Sequence, residues 1–175
     1  ALILVAQAAF PTAQADEARS ADGLIWLRND QVELGLHPGL AANPMVFRLI
    51  GGENALIAKH KLLEGHETRI PDPRDFGDWI DPFGHVTWLG PQSDFWNQQD
   101  ELPEKKGDVW PPDPYWVYAT YELVERSERH VVMTGPASPY TGIRLTKSYV
   151  LHGNAVELAV EAVNVSGRTL RWGLW

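Results

Sequence analysis

Cysteine is absent from this 175-residue chain, and basic residues are scarce. Without thiols, the sequence excludes a disulfide framework and a cysteine nucleophile, so burial must be the main source of stability. Fifteen basic residues stand against 23 acidic ones, which gives a net charge of -8. No cluster of Lys and Arg is present that could follow a polyanion. We therefore predict no nucleic-acid partner and no anionic membrane surface as a partner.

A long hydrophobic run is also missing. The apolar stretch over residues 1–10 is shorter than the roughly 20 residues that a membrane span needs. It is followed by Ala13-Gln14-Ala15, which is typical of a signal-peptidase site. We expect residues 1–15 to be a signal peptide remnant cleaved after Ala15, which predicts a periplasmic or secreted protein with no membrane span after cleavage. A short buried N-terminal helix is the alternative.

The hydrophobic pattern has period two rather than 3.6, with hardly a helix. Short strands are predicted over residues 23–28 and 32–36, around the turn Asn29-Asp30, and again over 45–50. A further strand is predicted from the alternation of Val117, Ala119, Tyr121 and Leu123. Residues 143–151 and 156–162 alternate in the same way around a turn at 152–154. Residues 55–58 continue this series as a strand, unless 54–65 form a helix capped by Asn54.

These strands and turns predict an all-β, antiparallel β-sandwich domain over residues 22–175. The final residues, 170–175, read as a strand with no turn after it. We therefore expect the N-terminal part of a larger sandwich, truncated at both ends.

A loop rich in tryptophan, residues 71–116, separates the two β blocks. Loops of this length within a domain are usually functional or disordered, and disordered segments are poor in aromatic residues. Its five tryptophans therefore favour a functional loop; they are Trp79, Trp88, Trp96, Trp110 and Trp116. Each of them singly could equally fill the space between loop and sheet.

Within this loop, aromatic rings and polar groups alternate as a sugar site requires. The C–H faces of a sugar pack on flat rings, while its hydroxyls need polar partners in fixed directions. We predict His85 as the proton donor or hydroxyl anchor, although a hydrogen-bonded structural histidine is the commoner case. The remaining predicted sugar-binding residues are Trp88, Gln92, Asp94, Trp96, Trp79, Trp110 and Lys147.

Lys147 enters this set because alternation places it on the apolar face of its strand, beside Leu145 and Tyr149. A β-bulge or a snorkelling stem would explain its position equally well. The other five histidines lie in turns or polar runs, so we expect them at the surface.

No metal or cofactor is predicted. Asp72, Asp75, Asp78 and Asp81 recur at every third residue, which does not fit the ligand spacing of an EF-hand loop. A solvated acidic loop is the simpler interpretation. Phosphate-binding, dinucleotide-binding, zinc-type and serine-hydrolase motifs are all absent from the sequence.

Several stretches together resemble the galactose mutarotase-like (aldose 1-epimerase-like) superfamily, in particular an exported branch of it. They are residues 26–34, 51–54, 83–96, 141–147, 164–166 and 172–175. The resemblance implies a supersandwich of about twice this many strands that binds carbohydrate in a cleft on a concave sheet. It also implies that His85 corresponds to the histidine that protonates the ring oxygen. No residue here matches the glutamate that acts as base, and residues 41–44 depart from the glycines and arginine of such proteins.

Three hypotheses follow for the function. The first is a carbohydrate-binding domain with acid–base chemistry on the sugar ring, as in an epimerase. The second is a non-catalytic sugar-binding or polysaccharide-processing accessory module. The third is a structural sandwich whose tryptophans form a protein-interaction surface. The first two predict a small-molecule or oligosaccharide ligand.

Overall fold

The computed structural model describes residues 22–59, 69–75 and 81–174. The predicted signal peptide remnant and Trp79 lie outside these residues. The described part is built of antiparallel strands with almost no helix, and both of its larger sheets contribute residues to the larger of two core clusters. The predicted all-β sandwich is confirmed. None of the helices found in the described residues is long and apolar enough to cross a membrane.

The first sheet contains three strands in the order β1-β2-β3. They are β1 (Ile25–Arg28), β2 (Val32–His37) and β3 (Asn43–Leu49). The turn between β1 and β2 is held by Asn29, whose side-chain oxygen accepts hydrogen bonds from the amides of Gln31 and Val32. This is the turn chemistry expected of asparagine, and it confirms the predicted opening hairpin.

The second large sheet contains four strands in the order β5-β6-β7-β8. They are β5 (Glu122–Arg126), β6 (His130–Thr134), β7 (Ile143–His152) and β8 (Ala155–Asn164). Alternate residues of β6 and β7 point into the core, where Val131, Met133, Leu145 and Tyr149 are buried. The predicted period-two pattern of β7 and β8 is confirmed.

Two short strands tie the tryptophan-rich loop to the end of the described chain. Strand β4 (Leu89–Gly90) pairs antiparallel with β9 (Gly173–Leu174). Between β4 and β5 the chain forms 3₁₀ turns at Gln92–Asp94 and Pro103–Lys105. It then forms a single helical turn, Tyr115–Tyr118. The loop therefore has a defined, packed structure over the part that is described.

Two local predictions were wrong. The strand predicted through Val117 and Ala119 is the helical turn just named, and extended pairing begins only at Glu122. Pro114 precedes this turn, and prolines favour the start of a helix, where no amide donor is needed. Residues 55–58 form no strand: only an isolated bridge joins Ala58 to Phe83. The side chain of Asn54 instead bonds to the backbone of β3: its Oδ1 accepts from the amide of Phe47, and its Nδ2 donates to the carbonyl oxygen of Met45.

Candidate functional site

The exposed part of the tryptophan-rich loop forms an aromatic surface, which we define as Trp88, Gln92, Val109 and Trp110. The indole of Trp110 is 46% exposed and meets the ring of Trp88 at a centroid distance of 6.0 Å and an interplanar angle of 63°. Edge-to-face contacts of this kind fix the orientation of one aromatic ring relative to the other. Val109 is also half exposed and extends the apolar area.

Gln92 connects the two segments that carry this surface. Its side-chain Nε2 donates a hydrogen bond of 2.9 Å to the carbonyl oxygen of Val109. Its side-chain carbonyl Oε1 is an additional acceptor. Asp94 ends the same 3₁₀ turn and is half-buried. The surface therefore combines a half-exposed indole with a side-chain amide, and the carboxylate of Asp94 follows Gln92 by two residues.

Beneath the surface, the rings continue into the core. Trp88 packs edge-on against Phe95, and Phe95 packs edge-on against Trp116, with ring centroids 6.4 Å and 5.6 Å apart. Trp116 in turn packs edge-on against Trp172, with a centroid distance of 6.3 Å. Phe95 and Trp116 are fully buried. The exposed indole of Trp110 is thus supported by a continuous row of aromatic side chains, which restricts its motion.

Trp96 occupies a place that does not suit the role predicted for it. Its side chain is fully buried, and its Nε1 donates to the carbonyl oxygen of Pro111 at 2.7 Å. Tyr140 packs edge-on against the ring, and the ammonium of Lys105 lies 5.2 Å from its centroid. No face of this indole is open to a ligand, so Trp96 serves the packing of the loop.

His85 precedes Trp88 of the aromatic surface by three residues. It is exposed and follows two residues with positive φ, Phe83 and Gly84, and its backbone amide donates to the carbonyl oxygen of Pro44. Within the described residues, no hydrogen bond or ring contact joins its imidazole to Trp88 or Trp110. A catalytic role for His85 therefore stays a prediction.

Lys147 lies between the two large sheets rather than in a cleft. It is fully buried on the inner face of β7, and its Nζ donates to Oδ1 of Asn43 at 2.5 Å. The ring of Tyr121 lies 5.6 Å from the ammonium. Burial lowers the pKa of Lys147 to about 7, because the charged form loses its hydration. The structure shows neither a bulge at this position nor a stem reaching solvent, so both alternative explanations were wrong.

The backbone beside Lys147 is unusual. Ala41 and Ala42 both adopt φ 54°, which is rare for residues other than glycine. Their polar groups are nevertheless bonded: the amide of Ala41 donates to Ala119 O, and the hydroxyl of Tyr149 donates to Ala42 O. Burial raises the pKa of the Tyr149 hydroxyl, which therefore stays protonated and acts as this donor. This is the segment where the sequence departs from the mutarotase-like pattern.

A groove with a volume of about 470 Å³ lies elsewhere on the molecule, between the turn before β7 and the turn after β8. None of the predicted site residues lines it. Its charged groups are Asp100, Glu101 and Arg168, and its hydroxyls are those of Ser138 and Ser166. The carboxylate of Asp100 forms an ion pair with Nζ of Lys106 at 2.9 Å, and its other oxygen lies 3.5 Å from Nη1 of Arg168.

A buried carboxylate lies directly behind this groove, and sequence analysis missed it. Asp113 is fully buried and accepts hydrogen bonds from the hydroxyls of Ser138 and Thr141 and from the amide of Tyr115. Loss of hydration raises its pKa to about 6, against the opposing effect of these donors. A signal was present in the sequence: Asp113 stands between Pro112 and Pro114, two residues before the helical turn begins at Tyr115.

The described residues contain no group of three or more His, Asp or Glu side chains arranged to hold a metal ion. Asp72, one of the four regularly spaced aspartates, instead pairs with Arg74 at 2.6 Å. This contact lowers the pKa of Asp72 to about 2. Asp78 lies outside the described residues.

The model of a family described as a domain of unknown function, DUF4380, matches residues 24–175. No match was found among curated proteins or among solved structures.

Proposed function

The chain belongs to the DUF4380 family, and from its own side chains we propose that it is a carbohydrate-binding domain. The observation that carries this proposal is the half-exposed indole of Trp110, held edge-on by Trp88 beside the amide of Gln92. A pyranose stacked on this indole would place its equatorial hydroxyls within reach of an amide, as carbohydrate recognition requires.

The architecture supports the same proposal. Sugar-binding proteins of the mutarotase-like superfamily, which this sequence resembles, are antiparallel β-sandwiches, and so is this chain. For this reason we propose that the chain is also related to the mutarotase-like superfamily. Acid–base chemistry at His85 is not included, because no contact within the described residues links its imidazole to the aromatic surface.

Removing the exposed indole provides the direct test. We expect Trp110→Ala to weaken saccharide binding about 5- to 30-fold, since burying an aromatic face on a ligand contributes on the order of 1–2 kcal/mol. Binding is measured by isothermal titration calorimetry with a panel of monosaccharides and oligosaccharides. Calorimetry is preferable to tryptophan fluorescence here, because the substitution itself removes a fluorophore.

Phe83→Ala is the matched control, since Phe83 is 39% exposed and lies next to Lys59, outside the aromatic surface. We expect this variant to bind as the wild type does. Loss of binding in Phe83→Ala but not in Trp110→Ala would move the site to the turn that carries His85. Absence of heat with every saccharide would contradict the proposal and favour a protein-interaction surface.

A further inference from the structure

A second group of chemically active side chains lies on the outer face of the four-stranded sheet. Nδ1 of His130 lies 3.1 Å from Oε1 of Glu125, and Nε2 of the same ring lies 2.8 Å from the hydroxyl of Ser148. We call Glu125, His130 and Ser148 the relay. A hydroxyl bonded to an imidazole, which a carboxylate orients from its other nitrogen, is the arrangement that activates serine nucleophiles.

The register of the sheet explains how these residues meet. His130 pairs with Val150, and Ser148 pairs with Val132, so the two polar side chains are diagonal neighbours on one face. Diagonal pairs in antiparallel sheets come within reach of long side chains. The contact therefore follows from strand pairing and does not depend on a loop.

A β-bulge brings in the carboxylate. Leu123 pairs with Met133 on the inner face, and the extra residue Val124 lets Glu125 pair with Val132 on the outer face. Regular alternation from Leu123 would have turned Glu125 toward the core. Bulges are frequently found where a strand must re-aim a functional side chain, and this one places Glu125 beside His130.

The relay is accessible from solvent. The side chain of His130 is 28% exposed and that of Glu125 is 60% exposed. Ser148 itself is half-buried, and the residue paired with it on β8 is Ala159, which has a small side chain. Glu157 and Glu161 project from the same face of β8, so this surface favours neutral over anionic reactants.

We propose that Ser148 is a nucleophile that accepts acyl groups from small neutral esters, with His130 as its general base. The hydroxyl oxygen attacks the ester carbonyl while its proton passes to Nε2 of His130. The bond to the leaving alcohol then breaks, and the same proton is returned to the departing oxygen. Water then attacks the acyl-serine while its proton passes to Nε2 of His130, the bond to the serine oxygen breaks, that proton is returned to the serine oxygen, and the acyl group leaves as a carboxylic acid. Glu125 is a positioning residue that accepts a hydrogen bond from Nδ1–H of His130 and stabilises the imidazolium.

The sheet also limits this chemistry. Ser148 lies in a strand paired on both sides, so the backbone amides around it are used in the ladder and cannot form an oxyanion hole. An oxyanion hole contributes about 100-fold or more to acyl transfer. The reaction should therefore be confined to esters with good leaving groups and to reactive phosphonates.

The test uses a fluorophosphonate probe and p-nitrophenyl acetate. We expect the wild type to gain the mass of one phosphonyl group on the peptide containing Ser148, and Ser148→Ala to gain none. His130→Ala should be labelled about 100-fold more slowly, because a positioned base contributes about 10² or more. With p-nitrophenyl acetate, Glu125→Gln should lower kcat with little change in KM, which a purely structural role would not produce.

Ser127→Ala is the control, because it removes an exposed serine from the neighbouring β5–β6 turn. Equal labelling of the wild type and Ser148→Ala would overturn the proposal. Ester hydrolysis that survives in Ser148→Ala would also overturn it, because the imidazole of His130 would then act without the serine. Thermal unfolding of each variant identifies any loss that comes from misfolding. If His130→Ala unfolds, the Glu125→Gln and Ser148→Ala results decide the matter.

Discussion

Replacing Lys147 with methionine removes an ammonium group that the fold holds away from water. The side chain is fully buried, and its Nζ bonds only to Asn43 Oδ1 among the described residues. The pKa is lowered from 10.5 to about 7 by this burial. A shift of that size corresponds to about 5 kcal/mol of destabilisation when the lysine is charged.

The sign of the pH dependence follows from this shift. Between pH 7 and 10.5, the unfolded chain holds a proton on Lys147 that the folded chain has released, so the free energy of unfolding rises with pH. Below pH 7 both states are protonated and the full penalty applies. From pH 7 to pH 9.5, the wild type should gain about 3 kcal/mol relative to Lys147→Met.

Urea denaturation at half-unit steps over this pH range measures the effect. Burial raises the pKa of Tyr121 and Tyr149, which lowers stability only where tyrosines of the unfolded chain ionise, above the range used. Lys106→Met is the control, because it removes an exposed lysine and should leave the slope unchanged. Parallel curves for the wild type and Lys147→Met would refute the conclusion that this amine is buried.

Two further predictions concern stability. The pKa of Asp113 is raised from 3.8 to about 6. Between pH 4 and 6.5, the free energy of unfolding of the wild type should therefore fall by about 2 kcal/mol relative to that of Asp113→Asn, as measured by urea denaturation. Equal decreases in both proteins would indicate that the carboxyl group is hydrated. Gly84→Ala should lower the free energy of unfolding by several kcal/mol, because φ is +77° and a Cβ would lie 2.3 Å from the carbonyl oxygen of Pro44. Gly51 is the control: its φ is +73°, but a Cβ added there would have no atom within 4 Å. Gly51→Ala should therefore lose only about 1 kcal/mol of unfolding free energy in the same denaturation assay. Similar losses in both variants would show that the clash with Pro44 is relieved.

Period-two alternation was sufficient to predict the sandwich, because strand faces depend on local sequence. The inner face of β7 was predicted correctly even at Lys147, where a charged residue interrupts the apolar pattern. The alternation from Val117 to Leu123 gave the wrong element. There, the preceding proline and the burial of Trp116 and Val117 against two core clusters favour a helical turn.

The site was less predictable, since exposure within an irregular loop depends on tertiary packing. Trp96 and Trp110 lie fourteen residues apart in the same loop, yet one is fully buried and the other is half exposed. Nothing in their local sequence distinguishes them. The relay was missed for a related reason, since its residues belong to three different strands. The bulge that turns Glu125 outward cannot be recognised from the hydrophobic pattern of the sequence.

Strand β8 has a consequence for behaviour at high concentration. In the part of the chain that the structure describes, it pairs only with β7, so a straight ten-residue edge remains available to another chain. Two copies pairing antiparallel about Ala159 would bring Glu157 opposite Glu161 twice, and their mutual repulsion opposes aggregation.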